Sequence, residues 1–335
     1  MIFECLHEFH VVEEKIKSGR TLLIAGDEKL VDRLPRGRWI GGTTPYFMTP
    51  LGGICTDKRL FVTDITDIAK NITIKKYDHN TIENVYIDAP ANGFSFLIFP
   101  EESKCHFRFA MDAFSFPDFA MHPLVGWVSG THLDERKLRK PKVYDGSIDE
   151  HIEEGAIVMH VDMAKNHFVE IGILNMFEQG SGDSIVFPES GYCVESALIN
   201  GKEMHYADYI RDNQIDLRLP LVTDINGTLI NTSFRRHFDE DDNVLFHSPI
   251  FKGLTYRHAK SIENYSERFA KKMSMGLVDV KTIFSCNCIL NFIYSGLDKY
   301  SCSDLCGPAT FGEIAYHIHN QTVVYLRIIK GGQTI

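Results

Sequence analysis

Apolar positions along the 335-residue chain recur mostly in short runs or with a period of two, the signature of many short strands and few helices. Thr21-Leu22-Leu23-Ile24-Ala25-Gly26 is an apolar run ending on glycine and predicts a buried strand. Before it, Val11, Val12 and Ile16 stand among charges over residues 10–18, which predicts a short amphipathic helix. Residues 94–100, Phe-Ser-Phe-Leu-Ile-Phe-Pro, predict a second strand stopped by proline. Cys105, Phe107, Phe109 and Met111 then alternate with Lys104, His106 and Arg108, and that period predicts a half-buried strand. Residues 124–129 predict one more.

Further strands are predicted at 156–161, 168–174, 184–187 and 193–199, with Asn200-Gly201 as a hairpin turn and a short helix over 204–211. Strands at 219–223, 229–234 and 244–247 follow. Asp239-Glu240-Asp241-Asp242-Asn243 lies between the last two as a polar hairpin loop. Residues 261–273 predict a helix: Ser261 can cap it, and Ile262, Tyr265 and Phe269 share one face. Strands at 282–286, 310–318 and 322–329 close the chain, the last two joined through His319-Asn320-Gln321. The fold class expected is α/β, with α+β the alternative: two domains of mixed β-sheets packed against helices.

Composition narrows the function. Lys plus Arg is 35 against 45 Asp plus Glu, a formal charge of −10, which opposes general binding to nucleic acid. The basic stretch at 135–142, Glu-Arg-Lys-Leu-Arg-Lys-Pro-Lys, contains a proline and no interleaved aromatics, so it reads as a solvated loop. No apolar run reaches the roughly 18 residues of a membrane span, so no membrane insertion is expected. Met1-Ile2-Phe3-Glu4-Cys5-Leu6-His7-Glu8 has acids where a signal peptide has a basic start, and the expected location is cytoplasmic. Eight cysteines, at 5, 55, 105, 193, 286, 288, 302 and 306, are too sparse for a disulfide scaffold and read as reduced thiols.

The common phosphate-loop, zinc-helix, nucleophile-elbow and kinase motifs are absent. Four thiols cluster at Cys286, Cys288, Cys302 and Cys306; their spacing is not the usual zinc pairing, and joint burial is the simpler reading. Cys286 could instead be the nucleophile of an enzyme, if the fold set His317 or His319 against it as base. Residues 307–314, Gly-Pro-Ala-Thr-Phe-Gly-Glu-Ile, place Glu313 beside Gly312 at a strand start. There the carboxylate could receive a donor, and the glycine allows close approach. Taken alone it reads more simply as a surface glutamate. Ile40-Gly41-Gly42-Thr43-Thr44-Pro45 is a similar strand-to-turn element with two hydroxyls, and a plain surface turn is its simpler reading.

Together these elements resemble the FIST sensory module, a tandem N- and C-terminal domain pair. The C-terminal likeness lies in Phe284-Ser285-Cys286, in Gly307 through Gly312-Glu313-Ile314, and in Asn320-Gln321-Thr322, in the family's order. Residues 194–209 with Asn200-Gly201-Lys202, then Leu219-Pro220-Leu221-Val222, are similar to the start of the same domain. The N-terminal likeness is looser: Ile40-Gly41-Gly42-Thr43-Thr44, Val125-Gly126 through Gly130, and residues 143–163. Two departures stand out. Ile289 occupies the place of an arginine common three residues after the cysteine, and Pro45-Tyr46-Phe47-Met48 replaces a Gly-Glu-Ile. Ligand identity therefore does not carry over.

The resemblance implies an N-terminal domain over 1–186 and a C-terminal domain over 187–335. It implies a cytoplasmic small-molecule sensor in signal transduction, taking a small polar metabolite such as an amino acid and reporting to a separate output protein. Its expected site comprises Thr43, Thr44, Cys286, Gly312, Glu313 and Asn320. Some members of that family contain haem; fifteen histidines here could supply an axial ligand, though there is no Cys-x-x-Cys-His attachment motif.

Overall fold

The computed structural model describes residues 5–148, 150–225, 227–235, 238–274, 282–296 and 305–330. Strand outweighs helix throughout, in mixed sheets flanked by short helices, as the period-two stretches predict. Contacts divide the chain into two units. Unit 1 holds Met1–Leu174, Ser266–His317 and Val323–Ile335; unit 2 holds Asn175–Tyr265 and Ile318–Thr322. This division differs from a cut at residue 186, and the reason is strand pairing. Gly307 lies opposite Met48, and Glu313 opposite Trp127, so strands near the C-terminal end complete sheets begun by the first 174 residues.

The elements of unit 1 that matter below are α1 (Phe9–Lys17), β1 (Leu22–Gly26), β2 (Trp39–Thr43), β3 (Gly93–Pro100), α2 (Lys104–Asp112), β4 (Leu124–Ser129), β5 (Ala156–Met163), β6 (Thr282–Cys288), β7 (Gly307–Thr310) and β8 (Glu313–Ala315). They belong to three six-stranded sheets. The first runs Leu6–His7, Leu60–Asp64, β1, β2, Val143–Asp145, Glu150–Ile152. The second runs His317–His319, β8, β4, β3, β5, Ala69–Tyr77. The third runs His167–Asn175, Thr322–Lys330, β6, β7, Tyr46–Thr49, Gly52–Cys55. Each sheet contains a parallel pair: β1 with β2, β3 with β4, and β6 with β7.

Their inner faces share one core, which includes Ile40, Phe47, Phe96, Ile98, Trp127, Met159, Phe284 and Leu326. Trp127 stacks on Phe284 at 5.6 Å, and Phe96 meets both rings edge-on. A Cβ on Gly42 would lie 2.8 Å from Ile98 and 3.0 Å from the Trp127 indole nitrogen, so the missing side chain is what lets β2 close on β3 and β4. A second small core lies under α1, where Val12 and Ile16 pack with Leu22, Ile24 and Trp39.

Residues 104–112 form a helix, where the alternation of apolar residues predicts a strand. The residues that become buried are Cys105, His106, Phe109 and Ala110, one face of a 3.6-residue repeat, while Phe107 and Met111 are only partly covered. Ser103 caps the helix, its Oγ accepting from the His106 N–H at 3.2 Å. The helix expected at 261–273 begins at Tyr265, because Asn264 takes a left-handed backbone with φ 52°.

Unit 2 is built on a six-stranded antiparallel sheet ordered Lys202–His205, Ser196–Ile199, Ile185–Val186, Thr255–His258, Leu221–Ile225, Thr228–Thr232, with Gly191–Val194 pairing separately with Val244–Ile250. Asn200 and Gly201 both take positive φ, 49° and 82°, as a two-residue hairpin turn requires. Helix Tyr206–Asp212 covers a core rich in aromatics, Phe187, Tyr206, Phe234, Phe246 and Tyr256.

One buried histidine in each unit sets an acid limit on stability. In unit 1, Tyr77 gives its hydroxyl hydrogen to Asp88 at 2.7 Å, so the 2.9 Å contact between Tyr77 and His160 Nε2 must be donated by the ring. His160 Nδ1 then accepts from Ser95 Oγ at 2.7 Å. Burial pushes His160 down to about 4, and His258, enclosed by Phe234, Tyr206 and Tyr209, likewise to about 4. In the unfolded chain an imidazole takes its proton near 6.5, before the folded one does. Both contributions are therefore complete above pH 6.5 and are lost as pH falls toward 4. Denaturant titrations should show roughly 2 kcal/mol less stability per histidine at pH 5 than at pH 7. His160→Gln should flatten part of that slope; a midpoint independent of pH between 7 and 5 would refute the assignment.

Candidate functional site: a charged cleft at the strand carboxyl ends

The carboxyl ends of β1 to β4 are stitched to one another. Thr44 N–H donates to Gly26 at 2.9 Å, Gly130 N–H to Thr43 at 2.8 Å, and Glu101 N–H to Ser129 at 3.0 Å. In open α/β sheets this end is where the chain diverges into loops and leaves a crevice. Here β3 runs into Glu101-Glu102-Ser103 and α2, while β4 runs through Gly130 and Thr131 into the segment 131–142 that leads to Val143. Between these segments lies a cleft of about 230 Å³.

The cleft is walled by charge of both signs. Arg136, Arg139 and Lys140 come from the segment after β4, and Glu101, Glu153 and Glu154 stand among them, with Ser103 and Thr131 as neutral polar groups. Arg136 pairs with Glu101; Arg139 lies 3.2 Å from Glu135 and 3.8 Å from Asp27; Lys140 lies 3.6 Å from Glu153. Glu154 accepts the Lys104 N–H at the start of α2, at 3.1 Å, where the helix dipole favours a carboxylate. Just behind, Lys142 holds Glu28 at 2.6 Å and Asp32 at 3.3 Å. Partial burial works against its charge, yet the two acids raise its ammonium above the usual value.

Five of the six residues expected from the sequence lie in unit 1, at the seams between its strands. Thr43 Oγ1 accepts from the Lys142 N–H at 3.0 Å, and Thr44 Oγ1 donates to the Ala309 carbonyl at 2.8 Å. The Gly312 carbonyl accepts from Val128 N–H at 2.8 Å, and Glu313 sits opposite Trp127 with no exposed surface. Cys286 Sγ donates to the Gly126 carbonyl at 3.5 Å. All five are buried, and the two threonine hydroxyls bond to backbone of other strands and loops, so they read as the joints of three sheets. Asn320 lies in unit 2 instead, where its carbonyl accepts from Asn231 Nδ2 at 3.0 Å. The joint meets the cleft at Phe311. Its ring fills the space beside Gly130, where a Cβ would come within 2.0 Å, and the Arg136 guanidinium stands 5.4 Å over it.

Residues 7–329 match the profile of a family described only as a family of unknown function, DUF6976. The chain belongs to that family. No curated protein matches it.

That geometry does not favour the nucleophilic reading of Cys286. Burial pushes its thiol well above the ordinary value, and the Glu313 carboxylate adds to the push. His317 turns Nε2 to the Ala110 carbonyl at 3.0 Å and stacks on Phe114 at 4.2 Å, and His319 belongs to unit 2. Cys286 and Cys288 are both buried on β6; Cys302 lies outside the described residues. Among the described residues the one group close enough to hold a metal is His205, Asp208 and Asp242, and Arg211 already bonds both of its carboxylates.

Sequence reasoning missed the cleft residues because it treated 135–142 as a plain loop and 104–111 as a strand. The signal available was Ser103, a helix cap placed just after an apolar strand, with Cys105 and Phe109 four apart.

Two outcomes follow. Under native conditions Cys286 should react with iodoacetamide at least about 100-fold more slowly than the exposed Cys55 and Cys193, as read by peptide mass mapping. Fast labelling would restore the nucleophile. Thr44→Val leaves the Ala309 carbonyl without its donor and should cost about 1–3 kcal/mol in unfolding experiments; a neutral result would show that the hydroxyl does not tie the sheets.

Proposed function

We propose that this DUF6976 protein is a small-molecule-binding sensory protein in intracellular signal transduction, which takes a small polar metabolite, such as an amino acid, in the charged cleft and reports to a separate output protein. The observation that carries this reading is the cleft itself, a concave site at the carboxyl ends of parallel strands with cations and carboxylates on its walls. Its volume of about 230 Å³ suits a compact metabolite rather than a chain. A zwitterion satisfies both signs at once, exchanging its carboxylate for Glu101 at Arg136 and its ammonium for Lys140 at Glu153. A ligand of one sign would leave the opposite wall's charges partnered as before and gain less.

The FIST resemblance supports the sensory part of the reading. No helix among the described residues is long and apolar enough to cross a membrane. A cytoplasmic location belongs to the same proposal.

A thermal-shift panel of zwitterionic, anionic and cationic metabolites tests it. A ligand at 100 times its Kd should stabilise the protein by about 2.7 kcal/mol. Arg136→Gln and Glu153→Gln should each weaken a zwitterion about tenfold or more, because each removes one charged contact. A panel without a stabiliser, or a stabiliser whose affinity neither variant changes, overturns the proposal.

A further inference from the structure

We infer that the outer strand His167–Asn175 joins two copies of this chain, edge to edge and antiparallel, with Ile171 on the two-fold axis. The strands at the edges of the three sheets of unit 1 are mostly short: Leu6–His7, Glu150–Ile152, His317–His319 and Gly52–Cys55. A short edge offers little backbone to another chain. Two edges have nine residues. Ala69–Tyr77 carries Lys70, Lys75 and Lys76, and its ladder with β5 is bulged between Asp162 and Met163; lysines and bulges are the usual devices against edge pairing. His167–Asn175 has neither lysine nor proline, and its one charge, Glu170, lies 3.6 Å from Arg327. Among the described residues its outer side pairs with no strand.

The same strand carries apolar side chains on both faces. Val169, Ile171 and Ile173 pack against the edge of the unit 1 core, while Phe168 is 57% exposed on the opposite face. An apolar strand with a free edge is the kind that another strand completes.

The sequence of the strand selects a second copy as that occupant. With Ile171 on the axis, Phe168 faces Leu174, Val169 faces Ile173, Ile171 faces itself and Glu170 faces Gly172. Every opposed pair in the centre is apolar or harmless, and the core face of one copy continues into that of the other. A slip of one residue would mix the two faces. A centre at residue 170 would set Glu170 against Glu170, which repels. A centre at residue 172 would set Glu170 against Leu174 and leave Phe168 beyond the strand. One register survives, and it is self-complementary as a two-fold interface must be.

Sedimentation of the full chain at tens of micromolar should show a dimer. Phe168→Lys, at an exposed position, should raise its dissociation constant about tenfold, since symmetry removes the pair with Leu174 twice. Ile171→Cys should cross-link under mild oxidation, because opposed Cα atoms in either kind of antiparallel pair lie about 4.5–5.5 Å apart, within disulfide reach. Val169→Cys, whose counterpart is Ile173, should not, and it controls for the native thiols. A monomer at these concentrations, a dimer indifferent to Phe168→Lys, or equal cross-linking through Val169→Cys each overturns the inference.

Discussion

The seating of the Trp127 indole against Gly42 is the contact on which unit 1 depends. Three sheets meet in one core only if β2 comes within van der Waals distance of β4, and a Cβ on residue 42 would already crowd both Ile98 and the indole. The arrangement has a cost. The indole N–H is buried without a hydrogen-bond partner among the described residues, a penalty of about 1–3 kcal/mol. Packing wins, because burying a tryptophan among Phe96, Phe284 and Ile98 contributes about 3–5 kcal/mol, judged by what its truncation typically costs.

From that seat the rest of the site follows. With β2 and β4 held together, the backbone ends of Gly26, Thr43, Ser129 and Pro100 fall side by side, and the loops that continue them must diverge. Thr43 and Thr44 have no solvent to meet at this joint, so their hydroxyls go to backbone groups, as does the Cys286 thiol. Glu313 apart, the ionisable groups at this end stand on the diverging loops, where Arg136, Arg139 and Lys140 face Glu101, Glu153 and Glu154. The polar joint and the charged mouth are thus two consequences of one packing event.

This also explains what the sequence could and could not disclose. The strands at 22–26, 94–100, 124–129 and 156–161 were legible because their apolar runs reflect burial on both faces, and Asn200-Gly201 was legible because its turn demands positive φ at both residues. Residues 105–111 were not, since alternation over seven positions is equally compatible with a helix that buries only Cys105, His106, Phe109 and Ala110. The pairing of Gly307 with Met48 and of Glu313 with Trp127 spans more than 180 residues, and no local pattern encodes such a partner. For that reason Thr43, Thr44, Gly312, Glu313 and Cys286 could be singled out as special, but their role as sheet joints could not. The cleft was hidden for the same reason: it is made by the ends of strands that are neighbours only in space.

The joint under the cleft constrains how a bound ligand could be reported. Phe311 is wedged beside Gly130 with no room for even a methyl group between them, and Glu313 follows two residues later inside the core. A displacement at that point would have to break the ladder with Trp127, which the packing of three sheets opposes. Arg136 is different: it rests on the face of Phe311 and pairs with Glu101, and its segment is joined to the core by backbone hydrogen bonds at Leu133 and Lys142 rather than by a sheet ladder. A carboxylate entering the cleft competes with Glu101 for that guanidinium at little energetic cost to the fold. Under the sensory proposal, the segment 131–142, tied to the core at Leu133 and Lys142, is the element that would carry the effect of a ligand while the core stays fixed.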